Sequence, residues 1–141
     1  MNVKEQLRRN TVALISLVVA ITSLGYNTWR NEASEANRTQ RLVALEVLLK
    51  LGELQQVTWH HHYDKDFENK GNLRTGWTLV LVIRDICQIL DEPLPDSAMK
   101  LYDTWNANYR NLESSTEAKD AVLVAINDVR KDTLDLLIML D

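Results

Sequence analysis

At 141 residues with a single cysteine, Cys87, the chain has room for one modest hydrophobic core and no internal disulfide to brace it. The formal net charge is −4, and Lys4, Arg8 and Arg9 against Glu5 leave the first ten residues at +2 and everything after them at −6. An acidic body without clustered Lys and Arg argues against nucleic acid as a partner, because phosphate binding draws on such clusters.

The first element is the uncharged run at 11–24, TVALISLVVAITSL. On its own it is short for a membrane span and typical of a signal-peptide core. The chain continues through Gly25, Tyr26, Asn27, Thr28 and Trp29 before the next charge at Arg30, and Tyr26 and Trp29 stand where an aromatic belt meets the headgroups. Read as helix, residues 11–29 reach about 28 Å at ~1.5 Å per residue, against a hydrocarbon core of about 30 Å. Ser16, Thr22 and Ser23 do not forbid a span, since their hydroxyls can return to the helix's own carbonyls. A cleaved signal would want an A-x-A-like site, and Ser23-Leu24-Gly25 is a poor approach to one. A buried core helix would keep a polar face, and this run has none. Lys4, Arg8 and Arg9 crowd the near side of the span, Arg8 and Arg9 at its interface, while Arg30, Arg38 and Arg41 are spread along the far side. The expected orientation therefore places residues 1–10 in the cytoplasm and the rest of the chain outside it, which in a Gram-negative bacterium means the periplasm.

Residues 30–40, RNEASEANRTQ, are polar on every side and predict a helical stalk or a neck. The next helix is expected over 41–57. Between Leu42 and Leu51 only Glu46 and Lys50 are polar, one turn apart on one stripe, so the helix must be covered on most sides. Leu42, Leu45 and Leu49 are its candidate partner-binding residues, and Gly52 is read as a point of close helix crossing. Residues 59–71, WHHHYDKDFENKG, break the periodicity and read as a connection. Asn72 caps a helix expected over 73–90, with Trp77, Val80, Ile83, Cys87 and Leu90 on one face. The run at 79–83 is β-branched enough for a strand, but it continues without punctuation and has no second strand to pair with.

The stretch Asp91-Glu92-Pro93-Leu94-Pro95 is a stop, and Asp96 or Ser97 is expected to open the following helix. On that helix Ala98, Leu101, Tyr102, Trp105, Tyr109 and Leu112 form one face and Lys100, Asp103, Asn106, Asn108 and Arg110 the other. Ser114-Ser115-Thr116-Glu117 caps a last helix whose stripe is Ala118, Val122, Ala125, Val129, Leu136 and Leu140. Short joints between four such helices predict an all-α fold, a single N-terminal transmembrane helix (11–29) followed by an antiparallel four-helix bundle domain (41–141).

Chemistry is sparse. His60, His62 and Asp64 are the candidate metal ligands, since imidazole and carboxylate together suit zinc, copper or nickel. Adjacent residues on a helix point about 100° apart, however, so a solvated acidic loop is the competing reading. Cys87 sits in an apolar series and reads as a small buried hydrophobe. Tyr102, Trp105 and Tyr109 either line a ligand cleft or fill the core. No GxSxG, HExxH or phosphate-loop pattern is present, so no catalytic residue and no cofactor is expected, and the chain is not expected to be an enzyme.

The segment Gly25-Tyr26-Asn27-Thr28-Trp29-Arg30-Asn31-Glu32, running into Glu35-Ala36-Asn37-Arg38-Thr39-Gln40-Arg41, resembles the membrane exit of small uncharacterised single-pass inner-membrane proteins of Gram-negative bacteria. The resemblance covers residues 10–54 at most and implies a bacterial origin and an N-terminal anchor joined to a helical domain. It implies no activity, cofactor or catalytic residue. The expected role is an interaction or accessory protein docking on another membrane protein or assembly, or on a second copy of itself. The alternative is a periplasmic ligand- or metal-sensing bundle that signals through a partner, because the ten cytoplasmic residues cannot house an output domain.

Overall fold

The computed structural model describes residues 3–140, with side chains described at position 6 and from position 10 onward. Among them are four α-helices and no strand: α1 (Val3–Trp59), α2 (Leu73–Cys87), α3 (Leu94–Asn108) and α4 (Thr116–Met139). A five-residue π-turn, His60–Asp64, extends the end of α1, and a short 3-10 turn, Tyr109–Asn111, follows α3. The chain divides into two units, Met1–Arg38 and Thr39–Asp141.

In the first unit α1 carries the apolar run. Val12, Leu14, Ile15, Leu17, Val18, Val19, Ile21 and Leu24 are all more than half exposed. By length and composition this helix is able to cross a membrane. Thr22 donates its hydroxyl to the carbonyl of Val18 at 2.8 Å, so that polar group is satisfied within the helix. Tyr26 and Trp29 lie a helical turn apart with ring centroids at 6.2 Å. The side chains of Lys4, Arg8 and Arg9 lie outside the described residues.

In the second unit the rest of α1 buries one stripe, Ala44, Val47, Leu51, Leu54 and Thr58, at steps of three and four residues, with Val57 beside it. Asn72 caps α2 by accepting from the backbone N–H of Arg74 at 2.8 Å, and the helix buries Gly76, Leu79, Val80, Ile83 and Cys87. The β-branched run is therefore helical, as its unbroken continuation implied. The helix stops at Cys87 rather than at Leu90. Ile89 and Leu90 bond back three residues to Ile86 and Cys87, which tightens the end into a turn ahead of the proline pair.

Helix α3 opens at Leu94, before the expected Asp96 or Ser97, with Pro93 at its N-cap position and Pro95 in its first turn. Proline is tolerated there because the first N–H groups of a helix have no intrahelical acceptor. It buries Leu94, Ser97, Ala98, Leu101 and Trp105. Ser115 caps α4, accepting from the N–H of Ala118 at 3.0 Å, and α4 buries Ala118, Val122, Ala125, Ile126, Val129, Thr133 and Leu136.

Helix α3 packs on both α2 and α4, and one apolar cluster draws side chains from all four helices. Polar ties bind the rim: Arg130 donates to Gln55 at 2.6 Å, Gln40 to Asp91 at 3.3 Å, Arg41 to the carbonyl of Leu140, and Ser97 to Asp132. The close approach expected at Gly52 does not occur, since a Cβ there would meet nothing within 4 Å. It occurs at Gly76, where a Cβ would stand 2.4 Å from two ring atoms of Trp105. Glycine at 76 is what lets the largest buried side chain reach the backbone of α2.

Candidate functional site

Two features of the second unit have no role in the core. The first is a ridge on α1. Leu42, Leu45 and Leu49 are 60%, 49% and 64% exposed, while Ala44, Val47 and Leu51 on the opposite stripe are fully buried. Lys50 borders the ridge, 3.0 Å from Glu53 and 3.6 Å from Glu46. Its hydrogen bond to Glu53, with the charge of both carboxylates, holds the ammonium above its usual range. Three leucines edged by an ionic row offer no reactive group and form an exposed apolar ridge.

The second feature is the turn His60–Asp64 with the loop that follows. The π-turn closes bonds one residue wider than an α-helix, which re-aims the three consecutive imidazoles. His60 Nδ1 lies 2.5 Å from Asp64 Oδ2, His61 Nδ1 lies 2.8 Å from the carbonyl of Gly71, and His62 Nδ1 lies 2.6 Å from the carbonyl of Leu112. A carbonyl only accepts, so Nδ1 carries the proton on His61 and His62. Lys65 ends the turn in the left-handed region at φ 54° and donates to the carbonyl of Glu113. His62 and Lys65 thus tie the turn to the connection between α3 and α4. Lys119 donates to the Tyr63 hydroxyl at 2.9 Å and lies 5.2 Å from that ring's centre. Bonds from Lys119 to Asp120 first and Tyr63 second raise its affinity for a proton.

Of the expected metal ligands, the structure brings His60 and Asp64 together and turns His62 toward Leu112. Among the described residues no three His, Cys, Asp or Glu side chains gather closely enough to hold an ion. Asp66 accepts from the backbone N–H groups of Asn69 at 3.1 Å and Lys70 at 3.0 Å, which holds its carboxyl below the usual aspartate range. Cys87 is fully buried, and burial pushes its thiol up to about 12, so it stays protonated and packs as a hydrophobe. The aromatic stripe of α3 and the turn after it packs with the core: Trp105 is fully buried, Tyr102 and Tyr109 are partly buried against it, and Trp77 meets Tyr102, Trp105 and Tyr109 edge-on at 5.7, 6.4 and 5.3 Å.

Sequence reading missed two hollows. One, of about 620 Å³, lies between α3 and α4 and includes Ser97, Lys100, Asp128 and Asp132 in its lining. The other, of about 450 Å³, is lined by His61, Phe67, Glu68, Asn72, Leu73 and Arg74. The sequence did hold a signal for His61, because Leu54, Thr58 and His61 continue the buried stripe of α1 at helical spacing. Searches of protein families, curated proteins and solved structures give no match to this chain.

Proposed function

We propose that this chain is a membrane-anchored helical accessory protein that docks on another membrane protein through the Leu42, Leu45 and Leu49 ridge. The observation that carries the reading is the exposure of those three leucines on a helix whose opposite stripe is closed in the core. Their spacing, at steps of three and four, is that of a helix–helix seam, so the fitting occupant is an apolar helix face of the partner.

In this reading residues 11–29 span the bacterial inner membrane with Tyr26, Trp29, Arg8 and Arg9 at its interfaces. Residues 1–10 are cytoplasmic and 30–40 form a polar stalk. Residues 41–141 form an antiparallel four-helix bundle in the periplasm. The exposed apolar run of α1 supports the span, and the short connections between α1, α2, α3 and α4 support the bundle. The role is one of binding and needs no catalytic group. A second reading, ligand or metal sensing relayed through the partner, draws on the His60–Asp64 pair. Calorimetric titration with zinc and copper that released no heat would remove its metal form.

The test is affinity purification of the full-length protein from its native membrane in mild detergent, with mass spectrometry of what accompanies it. A stoichiometric membrane protein is expected with the wild type. It should fall at least tenfold in a Leu45→Glu, Leu49→Glu variant that keeps its helical circular dichroism. An unchanged set of companions in the variant would sink the docking reading, and recovery of a second copy alone would replace it with self-association.

A further inference from the structure

We propose that the hollow beside His61 binds a small apolar α-amino acid as its zwitterion, a property independent of the leucine ridge. His61 is only 6% exposed, yet its ring lines this hollow of about 450 Å³. With Nδ1 donating its N–H to the Gly71 carbonyl, the Nδ1–H tautomer leaves the lone pair of Nε2 to accept from a ligand. No described residue bonds that nitrogen. Phe67 holds the ring in place, with centroids 4.8 Å apart.

The same hollow is lined by one carboxylate, Glu68, and one guanidinium, Arg74. Among the described residues neither side chain makes an ion pair or a hydrogen bond, with each other or with anything else. Opposite charges that share a hollow without pairing suit a ligand bearing both charges. Arg74 offers the planar fork that matches a carboxylate. Glu68 and the Nε2 lone pair offer two acceptors to an ammonium, which has three donors and no acceptor. Phe67 and Leu73 supply the apolar wall for a side chain.

The walls are fixed by bonds that leave those groups free. The Asn72 side chain accepts from the N–H of Arg74 at 2.8 Å and donates to the carbonyl of Glu68 at 3.2 Å, linking the two charged residues through their backbones. Gly71 closes the loop on the π-turn so tightly that a Cβ would stand 2.5 Å from the backbone nitrogen of His61. Asp66 ties the loop from within. The backbone of the hollow is thus preset, and a ligand orders only the exposed side chains of Glu68 and Arg74.

The experiment is calorimetry on the full-length protein in detergent with L-alanine, L-valine and L-leucine as probes. Two leucine analogues accompany them, 4-methylpentanoate, which lacks the amine, and 3-methylbutylamine, which lacks the carboxylate. At least one amino acid should give saturable heat, with leucine binding at least tenfold more tightly than either analogue. Arg74→Gln should weaken leucine about tenfold and leave 3-methylbutylamine unchanged, and Glu68→Gln should do the converse with 4-methylpentanoate. Absence of saturable heat with all three amino acids would overturn the proposal. So would equal binding of leucine and either analogue to the wild type, a comparison that needs no variant to fold.

Discussion

Helix α1 exposes aliphatic side chains twice, at 11–24 and at 42–49, and the two stretches differ in what lies around the rest of the helix. In the first, exposed residues occur at every angle, from Val12 at 73% to Leu24 at 68%. In the second, the leucine ridge is backed by residues that are fully buried. A helix apolar all round and bare all round has an environment suited to lipid, which needs no directional match. A helix bare on one stripe and closed on the other is committed to the protein core along its closed stripe. The angular distribution of exposed aliphatics, rather than their number, separates the two.

The strongest attempt to break this comparison places charge on each stretch in turn. Leu17→Arg with Val18→Arg should cost about 5–7 kcal/mol of insertion, at ~2.5–3.5 kcal/mol for each charge near the centre of a span. The variant is expected to leave the carbonate-resistant membrane fraction, whereas Leu45→Arg with Leu49→Arg is expected to stay in it. Equal behaviour of the two pairs would remove the distinction.

One turn beyond the second stretch, Leu54→Ala should lower stability by about 2–5 kcal/mol, because it opens a cavity in the core. Leu49→Ala should stay within about 0.5 kcal/mol, as surface changes do. Thermal unfolding of the full chain, followed by circular dichroism, reads both, and a large effect of Leu49→Ala would mean that the ridge serves the fold. The two helical glycines of the second unit sharpen the same point with opposite signs. Gly76→Ala drives a methyl into Trp105 and should destabilise by about 1–3 kcal/mol. Gly52→Ala meets open space and should stabilise by about 0.5–1 kcal/mol through helix propensity.

The smallest expected effect concerns the loop after the π-turn. The Asp66 carboxyl is held below its ordinary value of 3.8 by N–H bonds from Asn69 and Lys70. A lowered value in the folded chain means that its contribution is complete above 3.8 and is lost as pH falls through the folded value. The protection of the Asn69 and Lys70 amides, measured as their exchange rate relative to the intrinsic rate at each pH, should therefore fall as pH drops through the folded value. Asp66→Asn keeps one acceptor and should flatten this acid dependence, and an unchanged profile would place its origin elsewhere.

Much of the helical domain was legible because its signals are local. Asn72 as a cap, the proline pair after Asp91 and the three–four spacing of Val122, Ala125 and Val129 each act within one or two turns. The errors fall where a distant contact decides. Residues 60–64 looked like a connection, because three histidines break the apolar pattern, yet the carbonyls of Gly71 and Leu112 hold them in a π-turn. The close approach expected at Gly52 falls at Gly76 for the same reason. Gly52 and Gly76 look alike in sequence, and only the indole of Trp105, from another helix, tells them apart. The hollow at His61 was invisible because its lining is assembled from the π-turn, the loop after it and the start of α2.

The sequence by itself determined that the chain is helical, that its N-terminal run is long and apolar enough to cross a membrane, and where α2 and α4 begin, since periodicity and caps operate over a few residues. Tertiary structure alone decided which leucines of α1 are covered and which stay bare, which histidine is buried, and which glycine meets a ring. Those outcomes depend on side chains brought together from far apart in the chain, and no local pattern carries that information.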